Sequence, residues 1–364
     1  MEDILILGAG NVGKTVAYDL FEEYRITMAD ADGEALEKIE KDHRFPVQDA
    51  MKMDAGKHGE LKELIAKYDI VVGALPGDLG YQSVKAAAEA GTDMIDVSFM
   101  PEDPFSLDGL IKENAVSVVV DAGFGPGLSN VFMGRIQDEM DVIEDAVVRI
   151  GGLPLEPRPP LHHKVTFSPR DLIQEYVRDA RVIRDDEVVK EEPMKDIGEV
   201  ELNGKEFEEF YSDGLRTLLK TVDAKNMEET TLRWKGHLEK MKVLKDLGFF
   251  EEENLDNTLE VIGPLMSYES EDFCIMKIEA IGKKDEEERK MNYFFYDEAS
   301  KRFSSMARST GCSAAVFTRL LMEEKEDIEN GVIAPEVLGM EKSYHDFIVK
   351  NLRDRGIKIE ISRD

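Results

Sequence analysis

Cysteine is scarce in this sequence, with only Cys274 and Cys312 among 364 residues. They lie far apart and show no metal-type spacing, so a disulfide framework and a cysteine-based metal site are both excluded, and the two read as buried, reduced thiols. Long apolar runs are also missing. No stretch approaches the roughly 20 apolar residues of a membrane-spanning helix. The start, MEDILILG, carries acidic residues where a secretory leader carries basic ones, and its apolar run has strand length. Cationic charge is in short supply, with 46 Lys and Arg against 77 Asp and Glu and a formal net charge of -31. Neutralising phosphates takes a concentrated patch of Lys and Arg, so nucleic acid and anionic membrane are excluded as partners. A cytoplasmic protein with small-molecule or protein partners is expected.

What is present is enough for two domains, each with a core of its own. From Met1 to about Asp121, short apolar runs (ILILG, RITMAD, DIVVGALPG, MIDVSF, VSVVVDAG) alternate with helical patterns (NVGKTVAYDLFEEY, DGEALEKIEKD, SVKAAAEAG, LDGLIKEN). Strands apolar on both faces, in strict alternation with helices, mean a parallel sheet covered on both sides: a doubly wound α/β, Rossmann-type domain. After Asn130 a Pro-rich connection, GGLPLEPRPPL, leads to the strand-like runs HKVTF, ARVIRDDEVV, VELNG, FEEFYSD, TTLRWKG, DFCIMKIEAIG and KMNYFFYDE. These describe a mostly antiparallel α+β domain. From about Ser304 helical spacing returns. The expected division is therefore residues 1–124 with 304–364 in the nucleotide-binding domain, and 125–303 in an inserted catalytic domain.

LGAGNVGK places Gly8, Gly10 and Gly13 in G-x-G-x-x-G between a strand and a helix, with Asn11 and Val12 inside the motif. Asp30 ends the next strand, about twenty residues on, where a ribose-binding acid belongs. Gly8 makes the turn, Gly10 admits the pyrophosphate and Gly13 permits close packing, while the helix N-terminus supplies free N–H groups. A carboxylate repels a 2'-phosphate by up to about 4 kcal/mol per unit charge at a surface-like dielectric, and Ala31 and Asp32 offer no compensating cation. NAD is expected as the cofactor. Asp54 at the third strand, Ala74, Leu75 and Pro76 in GALPG, and Ser98 in DVSF are further cofactor candidates, with an ordinary strand-end turn as the alternative at each.

A second glycine-rich stretch, VVVDAGFGPGLSNVF, holds Gly123, Gly125 and Gly127 with no acid downstream, so a second dinucleotide cradle is not indicated. Pro126 suits the first turn of a helix and Gly125 its cap. Two roles stay open: a hinge into the second domain, or a dock at which Gly127 and Asn130 take a substrate carboxylate.

DAGFGPGLSN, GALPG, DVSF, GGLPLEPRPPL and TLRWKGHLEKMKVLKDLGFF together resemble the saccharopine dehydrogenase-like family, most closely its L-lysine 6-dehydrogenase branch. The resemblance covers nearly the whole chain and implies a Rossmann domain completed by C-terminal helices, an inserted catalytic domain and a homodimer. It also implies NAD-dependent oxidative deamination of the lysine ε-amine, giving the semialdehyde that cyclises to piperideine-6-carboxylate. SDGLRTLL departs from the Ser/Thr/Gly-rich turn of many relatives. Alternatives are a saccharopine or carboxynorspermidine reductase that condenses an amine with an aldehyde, and a non-catalytic NAD-binding sensor.

An ε-amine with a pKa near 10.4 must lose its proton before the neighbouring carbon gives up a hydride, which costs roughly 3 kcal/mol near pH 8. His237 in RWKGHLEK is the first candidate for the base and Asp121 the second, with backbone bonding or capping as the structural alternatives. His162 and His163 are weaker candidates. Arg216 and Arg233 offer forks for the substrate carboxylate, although Arg233, beside Trp234, also reads as a packing or ion-pair residue. No metal site is indicated.

Overall fold

The computed structural model describes residues 1–42, 47–166 and 168–364. It contains two compact units, Met1–Gly134 with Ala307–Arg355, and Arg135–Met306 with Gly356–Asp364.

The chain opens with β1 (Asp3–Leu7), α1 (Asn11–Leu20), β2 (Arg25–Asp30), α2 (Gly33–Lys41), β3 (Asp49–Lys52) and α3 (His58–Ile65). It continues with β4 (Ile70–Gly73), α4 (Gly77–Ala90), β5 (Asp93–Asp96), α5 (Asp108–Glu113), β6 (Ser117–Val119) and α6 (Leu128–Glu139). The middle of the chain contributes β7 (Val142–Pro154), α7 (Pro169–Val177), the hairpin β8 (Ala180–Arg184) and β9 (Glu187–Glu191), and the hairpin β10 (Gly198–Leu202) and β11 (Lys205–Tyr211). Then come α8 (Leu218–Thr221), β12 (Ala224–Trp234), α9 (Leu238–Asp246), α10 (Glu252–Ile262), β13 (Asp272–Lys284) and β14 (Glu287–Glu298). The end of the chain adds α11 (Ser305–Glu323), β15 (Gly331–Ile333), α12 (Pro335–Met340), α13 (Lys342–Asp354) and β16 (Lys358–Arg363).

In the first unit the sheet runs β15-β6-β5-β4-β1-β2-β3, and its pairings are all parallel. Ile4, Leu5, Ile6 and Leu7 are all buried, as an unbroken apolar strand requires when both faces are covered. Leu61 and Ile65 of α3, Val84 and Ala87 of α4 and Ile111 of α5 join β1, β4 and β6 in one core. Winding outward in both directions from β1 and β4 leaves a crevice at the carboxyl ends of those two strands, where such sheets bind nucleotides.

The second unit's main sheet runs β10-β11-β12-β7-β13-β14-β16. Only β12–β7 is parallel among these pairs. Strand β13 is apolar over Phe273–Met276 and then alternates buried with less buried residues, fitting a central strand whose faces differ.

Several expectations are corrected here. Asp54 lies beyond β3, which ends at Lys52. GGLP is the end of β7 rather than part of a connection. HKVTF forms no strand over its described residues, and Phe167 lies outside them. Helix α6 starts at Leu128, two residues past Pro126. The terminal strand β16 pairs with β14 in the second sheet, not with the first unit, because edge β14 supplies a ladder of partners from Met291 to Tyr296.

Candidate functional site

The first glycine loop does what its spacing requires. Gly8 has φ +105 and passes so close to Ala74 that a Cβ there would meet the Ala74 carbonyl, and a Cβ on Gly13 would meet the Gly8 carbonyl. Gly10 has nothing within 4 Å of such a Cβ. The first and third glycines are thus demanded by packing, whereas the second leaves room for a ligand. Gly10 and Asn11 are exposed and Val12 is half-buried. Helix α1 begins after Gly10 with no side-chain cap, which suits its N-terminus to a pyrophosphate.

Asp30, at the carboxyl end of β2, accepts from the Ala9 and Asp32 amides. It therefore holds the loop and places a negative charge beside it. Asp54 is exposed and caps its own turn through Gly56 N–H at 3.0 Å. Pro76 caps α4, Leu75 packs at the edge of the sheet core, and Ser98 is buried with its amide and hydroxyl on Asp96. Ala74 and Gly8 share the crevice; Ser98 instead orders the turn after β5. Among the described residues no cluster of three or more His, Cys, Asp and Glu is placed to hold a metal, and no helix is long and apolar enough to cross a membrane.

The second glycine-rich stretch is a turn closed by its own hydrogen bonds. Gly127 N–H donates to Asn130 Oδ1 at 3.1 Å, Leu128 N–H to the Gly123 carbonyl at 3.0 Å, and Ser129 N–H to the Phe124 carbonyl at 3.2 Å. These are the donors a carboxylate would need. A side chain at Gly127, whose φ is +128, would collide with the Gly123 backbone and the Asp121 carbonyl. Asn130 is fully buried and donates to Glu336 at 3.2 Å. Gly127 and Asn130, expected to take a substrate carboxylate, build this turn in the structure. Asp121, buried just past β6, has φ +50.

In the second unit the sequence candidates join a hydrogen-bond chain. His237, fully buried ahead of α9, has Nδ1 2.6 Å from the Leu161 carbonyl and Nε2 2.8 Å from the Tyr176 hydroxyl. A carbonyl only accepts, so Nδ1 carries the ring proton and donates to it, and Nε2 accepts a hydrogen bond from the Tyr176 hydroxyl. Arg233 Nε donates to Tyr176 at 3.0 Å, its Nη1 donates to the Leu232 carbonyl at 3.0 Å, and its Nη2 pairs with Glu175 at 2.5 Å. Burial first, then the neighbouring Arg233 charge, pushes the His237 pKa down to about 3. Burial also pushes Tyr176 up to about 12. His237 is therefore neutral with both nitrogens hydrogen-bonded, and Arg233 is a buried cation tied to Tyr176, Leu232 and Glu175. Arg216 is half-buried in left-handed backbone, φ +52, on the turn between β11 and α8.

Sequence reasoning missed Tyr176, Glu175 and Glu229. Tyr176 falls on the apolar stripe of α7 and gives no polar signal there. Glu229, on β12, is buried and receives the Ser212 hydroxyl at 3.2 Å. Burial raises its pKa to about 8. His162 lies 3.0 Å from Lys240, and burial with that cation lowers its pKa. Both cysteines are buried.

With this geometry in hand, two family profiles match the chain. The saccharopine dehydrogenase NADP binding domain covers residues 4–120 and the saccharopine dehydrogenase C-terminal domain covers residues 123–357. The chain is 22% identical over 274 residues to a saccharopine dehydrogenase (NADP(+), L-glutamate-forming) of Pyricularia oryzae, and 24% identical over 271 residues to the protein of that name from Saccharomyces cerevisiae. Each alignment covers 69% of this chain, and the chain spans 59% of the length of these relatives. An apo saccharopine dehydrogenase (L-Glu forming) structure from S. cerevisiae shares the fold at a TM-score of 0.82, with 18% identity and both chains covered in full.

Proposed function

The chain belongs to the saccharopine dehydrogenase family, and from that premise we propose that it oxidises the ε-carbon–nitrogen bond of L-lysine with NAD. The products are ammonia and aminoadipate semialdehyde, which closes to piperideine-6-carboxylate. When bound, the cofactor supplies the hydride acceptor. The observation that carries the NAD half is Asp30, a carboxylate held on the glycine loop with no cation following it. The lysine half rests on RWKGHLEK and the Pro-rich motif. Asp121 remains the base candidate, as a carboxylate at the carboxyl end of a parallel strand, and turnover rises on the alkaline side because the reacting amine must be neutral. A homodimer and a cytoplasmic location belong to the same proposal.

A second reading, cleavage of saccharopine to glutamate and the same semialdehyde, is favoured by the names of the curated relatives. The two reactions break the same carbon–nitrogen bond after hydride loss and hydrolysis, and differ in the amine released. Lysine, saccharopine and cadaverine, each offered with NAD and with NADP and followed by absorbance of the reduced cofactor, decide between them. Lysine with NAD is expected to turn over fastest, and saccharopine turning over faster establishes the second reading. Asp30→Ser with Ala31→Arg is expected to shift preference toward NADP by at least about tenfold. Faster turnover of NADP by the native protein overturns the cofactor assignment.

A further inference from the structure

The segment Leu161–Thr166 runs without secondary structure between β7 and α7 and yet is fixed along its length. His237 donates to the Leu161 carbonyl, His162 N–H donates to Arg158 O at 2.8 Å, Lys164 Nζ to Ser270 O at 2.6 Å, and Val165 N–H to Met266 O at 3.0 Å. In the middle of it His163 is 1% exposed, and neither ring nitrogen has a hydrogen-bond partner. The other described histidines each have one: His58 with Glu89, His162 with Lys240, His237 with Tyr176 and Leu161, His345 with Asp346. Three residues on, the Thr166 hydroxyl is likewise buried without a partner. Buried polar groups are ordinarily satisfied, and an apolar ring of the same shape would fill this position without leaving two nitrogens orphaned.

We propose that His163 is a substrate-binding residue whose ring N–H donates to a carboxylate oxygen of the amino-acid substrate. This inference rests on the amino-acid dehydrogenase reading above. The surroundings favour that ligand. The His163 and His237 rings lie 5.0 Å apart, and the Arg233 cation acts on both. Burial, Arg233 and His237 all hold the His163 pKa well below its usual value, so the ring is neutral and keeps one donor and one acceptor. Arg233 donates from Nε, Nη1 and Nη2 to Tyr176, the Leu232 carbonyl and Glu175, and its field reaches both rings.

The test uses the full chain. In protein labelled with nitrogen-15 at histidine, the His163 imidazole resonances are expected to move on titration with lysine, saccharopine or glutamate and to stay in place with cadaverine, which has no carboxylate. His163→Phe is expected to raise KM for the amino-acid substrate by about tenfold or more, with kcat within about twofold, NAD affinity unchanged and a thermal midpoint equal to or above the native one. Unchanged KM in a folded His163→Phe variant overturns the proposal, as do resonances indifferent to every carboxylate ligand. If the variant does not fold, the titration of the native protein decides alone. If the native protein oxidises neither lysine nor saccharopine, the functional reading fails, and the titration still settles His163.

Discussion

Two buried titratable side chains in the second unit pull stability in opposite directions with pH. His237 has a folded pKa of about 3 against an ordinary 6.5, so below that ordinary value the unfolded chain takes up a proton that the native state refuses, and stability falls as pH drops toward 3. Glu229 has a folded pKa of about 8 against 4.5, so the native state keeps a proton that the unfolded chain releases. That contribution is full below 4.5 and is lost as pH rises through about 8, at up to about 1.4 kcal/mol per pH unit. Glu229→Gln is therefore expected to gain stability over the native protein as pH rises from about 5 to about 9. Thermal unfolding of both across that range checks it; parallel curves would show that Glu229 ionises as an exposed carboxylate does. The importance of RWKGHLEK was legible in the sequence, but its chemistry was not. The hydroxyl that occupies His237 comes from 61 positions earlier, on a helix whose pattern advertises only packing.

At the scale of elements, α6 and α12 approach closely enough for backbone to touch backbone. A Cβ on Gly134 would meet the Glu336 carbonyl, and one on Gly339 the Val131 carbonyl. Gly134→Ala is expected to destabilise the protein by about 1–3 kcal/mol, measured by chemical denaturation. A loss well below that would show that α12 slides aside at little cost. The same contrast between pattern and contact explains the stretch Asp121–Asn130. Its glycines and proline announce a turn before a helix, and a turn is there. Whether its N–H groups face outward or close on Gly123, Phe124 and Asn130 is decided by three-dimensional closure of the loop, which spacing does not encode.

For the whole molecule, the last strand is the instructive case. Its residues follow directly on the helices of the first unit, and helical spacing carried the expectation that the entire tail belongs there. Strand β16 instead covers the edge of β14, pairing Ile359 with Phe295 and Ile361 with Tyr293. Deleting Gly356–Asp364 bares that ladder, and self-association is expected, seen as larger species by light scattering. A deletion variant with the native mass and midpoint would show that the edge is protected without β16.

Alternation of strand and helix, the glycine loop with Asp30, and the family motifs were set by local chemistry: periodicity, tight-turn geometry and charge are properties of neighbouring residues. The sequence by itself therefore determined a nucleotide-binding Rossmann unit, a second, mostly antiparallel α+β unit and membership of the saccharopine dehydrogenase family. Only the tertiary structure decided which polar groups were already taken. Arg233, His237, Gly127 and Asn130 all carry groups suited to catalysis or binding, and folding pairs each of them with a partner the sequence does not reveal. His163 was left with none, because satisfaction of a buried hydrogen-bonding group depends on what folding brings against it from elsewhere in the chain.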